Sequence, residues 1–375
     1  MADKLKSVDM MPGNRGLPII GELIGALTKQ ELYYWQQHQK YGNVFKVSLP
    51  LLFGDIACLI GPEANRLVLK DGAGKLSSRL GNKSLEPILT NDTVLLKDGE
   101  EHRTSRKMIL PVFHQQAIAS YFNTVQSVVT AAVADWSKQG AIDLDTELRK
   151  LTLAVVVKTF LGSEKTAEIQ QVSEWFTTLT GGLYGLFKWD TPLTIHGRGQ
   201  AARRKIVKYI RQVIRERIDR SDDPANALDV LGLLMNTVDE DGNKFTETQI
   251  VNQAILFLFA GHETTSSLMD WVLFELGNRP EWRQKLRSEH QQVVGNQPIA
   301  MSQLPQMTNV LKEGERLYPP LFLISRMAIA DIEYAGYLIP AGWYLLIFPL
   351  LTHRLPEIYQ DPDLFDPDRF APPRE

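Results

Sequence analysis

An acid and an alcohol stand side by side at Glu263 and Thr264, inside a run, Ala260–Thr265, that reads AGHETT. A carboxyl group can hold and release a proton and a hydroxyl can pass one on, so the pair suits proton delivery to a reacting group. Neighbouring helix residues point about 100° apart, so a water or a side-chain rotation must bridge the two. Gly261 in the same run costs about 1 kcal/mol relative to Ala in a helix interior, and Thr can draw a backbone carbonyl away from the ladder. Something must offset that weakness. A kinked core helix with Glu263 facing solvent also suits these residues, and spacing alone leaves both readings open.

Charged pairs at Glu-x-x-Arg spacing occur at Glu63/Arg66, Glu100/Arg103 and Glu313/Arg316. Residues at i and i+3 share a helix face, and an exposed pair contributes only about 0.3–0.5 kcal/mol. Of the three, Glu313/Arg316 alone runs on into Leu317, Tyr318, Pro319 and Pro320 and then into strand-like sequence. His102 and Arg106, within GEEHRTSRKMILPVF, are one helical turn apart on one face. The lone cysteine, Cys58, lies in the apolar run GDIACLIG and reads as a buried small side chain. One cysteine excludes a disulfide framework and a multi-cysteine zinc site.

These groups need a frame, and the chain can build one. It has 375 residues, 44% hydrophobic and 23% charged, enough for a large core. The net charge of −3 argues against a nucleic-acid binder. Asp3, Lys4, Lys6 and Asp9 interrupt the first residues, so no apolar signal core precedes Pro12. The longest continuous apolar runs, near Ile250–Ala260 and Trp343–Leu351, fall short of the about 20 residues of a membrane span, and a cytoplasmic protein is the expectation. Val44–Leu49 and Ile56–Ile60 predict a hairpin, and a mostly helical stretch follows to about Glu315. Within it, Ile206, Ile210, Val213, Ile214 and Ile218 mark a packed helix whose arginines form a solvated face. Thr246 and Gln249 match a capping box, and Gly277 with Pro280 supplies a stop, so the AGHETT helix runs about 30 residues and is central and buried. After Pro320 short strands turn at Ala335-Gly336 and Ala341-Gly342.

AGHETT, KEGERLYPP at Lys312–Pro320 and FDPDRF at Phe365–Phe370 follow one another in this order. Together they resemble the cytochrome P-450 haem-thiolate monooxygenases, and the likeness extends from Pro12 to Phe370. It implies a mainly α fold with small β-sheets (α+β), in one domain over residues 1–375, and haem b as cofactor. It sets Ala260 and Gly261 against the flat cofactor, Thr264 as donor to bound oxygen and Glu263 as the source of protons. His102, Arg106 and Arg326, the last in LISRMA, would meet the two haem propionates, three donors for two carboxylates. Glu313 and Arg316 would lock with Arg369 in a buried structural network. In the family the cysteine ligand of the iron follows the last of these motifs, so the resemblance puts it, and the helix after it, beyond Glu375. Cys58 lacks the flanking pattern, and no metal ligand is assigned within the chain.

The implied reaction activates O2 with two electrons and inserts one oxygen atom into an apolar organic substrate. A ferredoxin-like or flavodoxin-like protein would supply the electrons. The segment Pro12–Glu22 (PGNRGLPIIGE) and the general texture are similar to the cyanobacterial relatives of retinoic acid hydroxylases, which points to isoprenoid, retinoid or sterol-like molecules. Candidate pocket residues are Leu256, Phe259, Leu321, Phe322 and Leu323, each of which also reads as core. Two alternatives stand beside this: a haem-free remnant that binds an apolar ligand without catalysis, and a haem-thiolate enzyme that isomerises or uses peroxide. The acid and alcohol pair argues against the last.

Overall fold

Alternating burial builds the first hairpin: Phe45, Val47 and Leu49 point into the core and the residues between them outward. The computed structural model describes residues 5–14, 16, 22–28, 30–50, 53–162, 165–185, 188–219, 229–293 and 301–374. Part of the Pro/Gly segment at 12–22 lies outside the described residues. The chain opens with β1 (Lys6–Ser7), β2 (Gly13–Asn14), α1 (Leu23–Thr28), α2 (Gln30–Tyr41), β3 (Val44–Leu49) and β4 (Gly54–Leu59). Next come α3 (Pro62–Arg66), β5 (Leu76–Ser77) and α4 (Ser78–Gly81). A helical stretch follows, with α5 (Gly99–Ile109), α6 (Gln115–Trp136), α7 (Leu144–Leu161), α8 (Thr166–Gly181), α9 (Ile195–Asp219), α10 (Val230–Asn236), α11 (Glu247–Gly277) and α12 (Pro280–Val293). The last part holds α13 (Pro305–Leu317), β6 (Ile324–Ala328), β7 (Ile332–Tyr334), β8 (Tyr337–Ile339), β9 (Tyr344–Ile347) and α14 (Pro349–Thr352). Met1–Lys83 with Pro305–Glu375 make one compact unit, and Ser84–Leu304 make another.

The Ser84–Leu304 unit is helical. Its core gathers Leu153, Val156 and Val157 of α7, Phe176 and Leu179 of α8, Ile206, Ile210 and Ile214 of α9, and Ile250–Leu258 of α11. The apolar stripe of α9 ends early, since Ile218 is 64% exposed. Among the described residues, α6 is the one helix long and apolar enough to cross a membrane, with 22 residues at a mean hydropathy of 1.2. A search for continuous apolar runs passes over it because Gln, Asn, Ser and Thr are scattered through it. None of its residues is buried, and it rests against α7.

The other unit carries a six-stranded sheet in the order β2-β3-β4-β9-β6-β5 and a three-stranded one in the order β1-β8-β7. Tyr334 pairs with Tyr337 across Ala335 and Gly336, whose φ angles are 49° and 79°. Two positive φ values are what a two-residue type I′ hairpin requires, and Gly336 meets that need without the strain Ala335 accepts. Cys58 on β4 faces Phe45 and Leu346 of the neighbouring strands and is wholly buried.

The three Glu-x-x-Arg pairs separate by burial. Arg66 turns to Asp71 at 2.8 Å instead of Glu63, and the Arg103–Glu100 pair is solvent-exposed. Glu313 and Arg316 are buried on α13, with Arg316 Nε 2.6 Å from Glu313 Oε2 and Nη2 2.8 Å from Oε1. Glu313 Oε1 also accepts from the backbone N–H of Asp366 at 2.9 Å and lies 3.5 Å from Arg369 Nε. Further guanidinium N–H groups donate to carbonyls: those of Arg316 to His353, Pro362 and Leu364, and two of Arg369 to Gln360 and Asp361. The Tyr359 ring lies 5.0 Å from the Arg316 guanidinium carbon and 5.8 Å from that of Arg369, within cation–π range. Removing one partner of such a set leaves the others charged and dry. Glu313→Ala should therefore lower the unfolding free energy in urea by about 3–5 kcal/mol, several times the effect of Glu100→Ala.

Candidate active site

The cap at the start of α11 sets the register of everything along it. Thr246 Oγ1 accepts from the N–H of Gln249 at 3.3 Å, and Gln249 Oε1 accepts from the N–H of Thr246 at 2.9 Å. Two orphan donors of the first turn are thereby satisfied. From Ile250 to Leu258 every residue is buried. The two polar ones are partnered, with Asn252 Nδ2 donating to Asp92 Oδ2 at 3.1 Å and Gln253 Nε2 to the Asp92 carbonyl at 3.2 Å. Burial then breaks. Phe259 is partly buried, Ala260 is exposed, and Gly261, Glu263 and Thr264 are half-buried around a buried His262.

Thr264 Oγ1 donates to the Ala260 carbonyl one turn back, at 2.5 Å, so the hydroxyl competes with the helical ladder for that acceptor. Gly261 faces α7: a Cβ built there would come within 3.1 Å of Val156 Cγ2. The glycine allows a close helix approach at this turn.

Glu263 is an ionised group in a cationic setting. Arg149 of α7 donates from Nη1 to Glu263 Oε2, and His262 Nδ1 lies 3.5 Å from Oε1. The neighbouring His262 ring and the Arg149 guanidinium hold the Glu263 carboxyl down at about 2, although half-burial works the other way. The His262 ring sits edge-on to Phe176 of α8, with centroids 5.9 Å apart. Arg149 Nε also donates to both oxygens of Asp145, at 2.8 and 3.0 Å. Asp145 in turn presses on Asp270 of α11, whose carboxyl is pushed up to about 6 by burial first and by Asp145 second.

The other candidates fall in both units. His102 and Arg106 lie on α5, the first half-buried and the second exposed with no partner among the described residues. Arg326 lies half-buried on β6 and donates from Nη1 to the Ser325 carbonyl at 2.8 Å. Leu256 belongs to the helical core and Leu323 packs on the core of the sheet unit, whereas Leu321 is exposed and Phe322 half-buried. Sequence reasoning passed over Arg149, His262 and Asp270. The i, i+4 spacing of Asp145 and Arg149 signalled a pair on one helix, but nothing in one dimension linked it to Glu263.

The model of the cytochrome P450 family matches residues 11–375. The chain belongs to the cytochrome P450 family. It is 29% identical to cytochrome P450 120 of Synechocystis sp., over 98% of this chain and 82% of that protein. It is 30% identical to taxane 10-beta-hydroxylase of Taxus cuspidata, over 97% of this chain and 76% of that protein. Among solved structures, cyanobacterial CYP120A1 with retinoic acid bound superposes with a TM-score of 0.87 at 28% identity, covering 99% of this chain and 83% of that one. This cytochrome P450 is thus a haem-dependent monooxygenase, an oxidoreductase that takes an apolar substrate, O2 and electrons from a donor protein. The comparisons lend no support to a haem-free remnant.

The described residues fit haem b at the points they can meet it. Ala260 is exposed on α11 with only a methyl for a side chain, and the exposed Arg106 guanidinium on α5 has no partner among the described residues, which suits a flat cofactor with carboxylates. Cys58 does not fit as an iron ligand: it is wholly buried, and burial pushes its thiol well above the ordinary range, away from the thiolate that iron takes.

Two outcomes test this geometry. Gly261→Val should destabilise the P450 by about 1–3 kcal/mol through overpacking on α7, and adding Val156→Ala should recover part of the loss in thermal unfolding. Asp270 titrates near 6, above its ordinary 3.8, so the folded state binds a proton that the unfolded chain lacks in that window. Stability from this group is full below 3.8 and is lost as pH rises through 6, and Asp270→Asn should flatten that stretch of the urea-unfolding profile.

Proposed function

We propose that this cytochrome P450 hydroxylates an apolar isoprenoid of the retinoid or terpenoid kind, at a site built on the opened turn of α11. The observation that carries the substrate class is the likeness, along 99% of the chain, to an enzyme solved with retinoic acid. The taxane hydroxylase relative supports it, since taxanes and retinoic acid are both isoprenoids.

Haem, when bound, supplies the chemistry that activates O2. The chain's own residues would hold the substrate, keep water out and move protons. Ala260 offers the exposed face of α11 to the ring, while Gly261 keeps that turn close against α7. Thr264 carries the proton at Oγ1 that is passed on, and the hydroxyl must first turn away from the Ala260 carbonyl it now bonds. Glu263, an ionised carboxylate, would first take a proton from solvent water and then refill the hydroxyl, through a water or by rotating, since adjacent helix residues do not face each other. His102 and Arg106, and on motif grounds Arg326, would neutralise the propionates. Leu321 and Phe322 keep apolar surface that a substrate could use, whereas Leu256 lies in a core and Phe259 and Leu323 pack against theirs. Glu313, Arg316 and Arg369 stabilise the fold without touching substrate, and we read residues 1–375 as part of one P450 domain. We take the electron donor to be ferredoxin-like or flavodoxin-like and the setting to be cytoplasmic, in line with the bacterial relative.

In the haem-loaded protein, retinoic acid should perturb the haem spectrum saturably and give a product heavier by one oxygen atom. A response to straight-chain fatty acids with none to retinoic acid would overturn the substrate class. Thr264→Ala should lower product formed per NAD(P)H several-fold with substrate binding little changed, and unaltered coupling would sink the relay.

A further inference from the structure

We propose that Asn252 is a positioning residue for the cofactor-binding helix α5: with Arg203 and Asp92 it pins the segment before α5 to α9 and α11, and so holds His102 and Arg106 where haem meets them. This rests on the reading of those two residues as propionate partners given above.

From Ser84 to Asp98 the chain forms neither α-helix nor strand, so its carbonyls have no ladder to join. Side chains from two helices meet three of them instead. On α9, Gln200 Nε2 donates to the Pro87 carbonyl at 2.9 Å and Arg203 Nε to that of Ile88 at 3.1 Å, from residues that share a face. On α11, Gln253 Nε2 donates to the Asp92 carbonyl and Asn252 Nδ2 to the Asp92 carboxylate. Two neighbouring side chains of one helix thus hold both the main chain and the side chain of a single residue, which fixes its orientation as well as its place.

Asn252 also ties the two helices to each other. Its Oδ1 accepts from Arg203 Nη2 at 3.0 Å while its Nδ2 donates to Asp92 Oδ2 at 3.1 Å, so a neutral amide stands between a cation and an anion. The amide can do this because it offers an acceptor and a donor together. A carboxylate in its place would keep Arg203 and repel Asp92, and an apolar side chain would strip a partner from both half-buried charges. Gln253 is wholly buried, yet its Oε1 has no hydrogen-bond partner among the described residues, so of the two amides Asn252 is the one used on both sides.

What is fixed at Asp92 passes to α5 over a short path. Thr93 turns back on Thr90, its N–H and its Oγ1 both donating to that carbonyl, at 3.0 and 2.9 Å. Leu96 is wholly buried, and the turn Val94–Leu96 packs on α5. Lys97 Nζ then donates to Oγ of the buried Ser105 at 2.8 Å, one residue before Arg106.

The test is hydrogen exchange read by mass spectrometry on the haem-loaded protein, in peptides covering residues 88–98 and the first turn of α5. Asn252→Asp should speed exchange there about tenfold while peptides of α8 keep the parent rate. The double variant Asn252→Asp with Asp92→Asn should return to the parent rate, because the new carboxylate can accept from Arg203 and from the new amide at once. Exchange unchanged in Asn252→Asp, or not restored in the double variant, overturns the proposal. Should Asn252→Asp fail to fold, Asp92→Ala, at a half-buried position, makes the first comparison in its place. Haem loss to excess apomyoglobin is the second readout: it should quicken several-fold in Asn252→Asp and in Arg106→Ala, with little further gain when the two are combined. If Arg106→Ala speeds haem loss and Asn252→Asp does not, the positioning role falls and the propionate reading stands. If Arg106→Ala leaves haem loss unchanged, the propionate reading fails, and the positioning role fails with it.

Discussion

A single dry carboxylate, Glu313, organises the sheet-bearing unit. It has no exposure, and its two oxygens meet Arg316, Arg369 and the Asp366 N–H. The segment from His353 to Phe370 is largely irregular, so its carbonyls lack ladder partners and must find donors elsewhere. Arg316 and Arg369 supply them, at His353, Pro362, Leu364, Gln360 and Asp361. Lysine could carry the charge but not this fan of directed bonds from one plane. Helix α13 thus fixes a stretch of chain that has no secondary structure to fix itself.

The Arg149–Glu263 ion pair uses the same chemical groups with the opposite balance. Both partners of that pair are more than a third exposed, and the packing between α7 and α11 is made by apolar side chains beside it. Desolvation makes the Glu313 set permanent, because an unpaired charge there would have no water to turn to. Hydration leaves the Arg149 pair adjustable. One chain therefore holds two arginine–glutamate sets, one dry and one hydrated, and exposure decides how firmly each is held.

Much of this was legible in one dimension where the signal is local. The α11 start at Thr246, the turn at Ala335-Gly336, the β3–β4 hairpin and the burial of Cys58 each follow from neighbouring residue types. The Glu313, Arg316 and Arg369 contact was legible only through the motif order, since three pairs shared the same spacing and just one is buried. Long-range pairing was not legible. Arg149 and Glu263 are 114 residues apart and joined by packing between α7 and α11, which no pattern around either residue encodes. Gly261 shows the same limit: nothing in the residues around it points to its packing against Val156.

The parallel pairing of β4 with β9, Ile56 beside Tyr344 and Leu59 beside Ile347, has a consequence for how the protein is made. At about 5–20 residues per second, a ribosome takes on the order of tens of seconds to deliver β9 after β4 has emerged. Throughout that interval the nascent hairpin presents an open, apolar edge of Ile56, Cys58 and Leu59, the kind of template that recruits foreign strands. The Ser84–Leu304 stretch, a compact unit with its own core, is made in the meantime. Nascent-chain folding of this P450 is therefore expected to run from the middle outward, with the first-made strands the last to be closed.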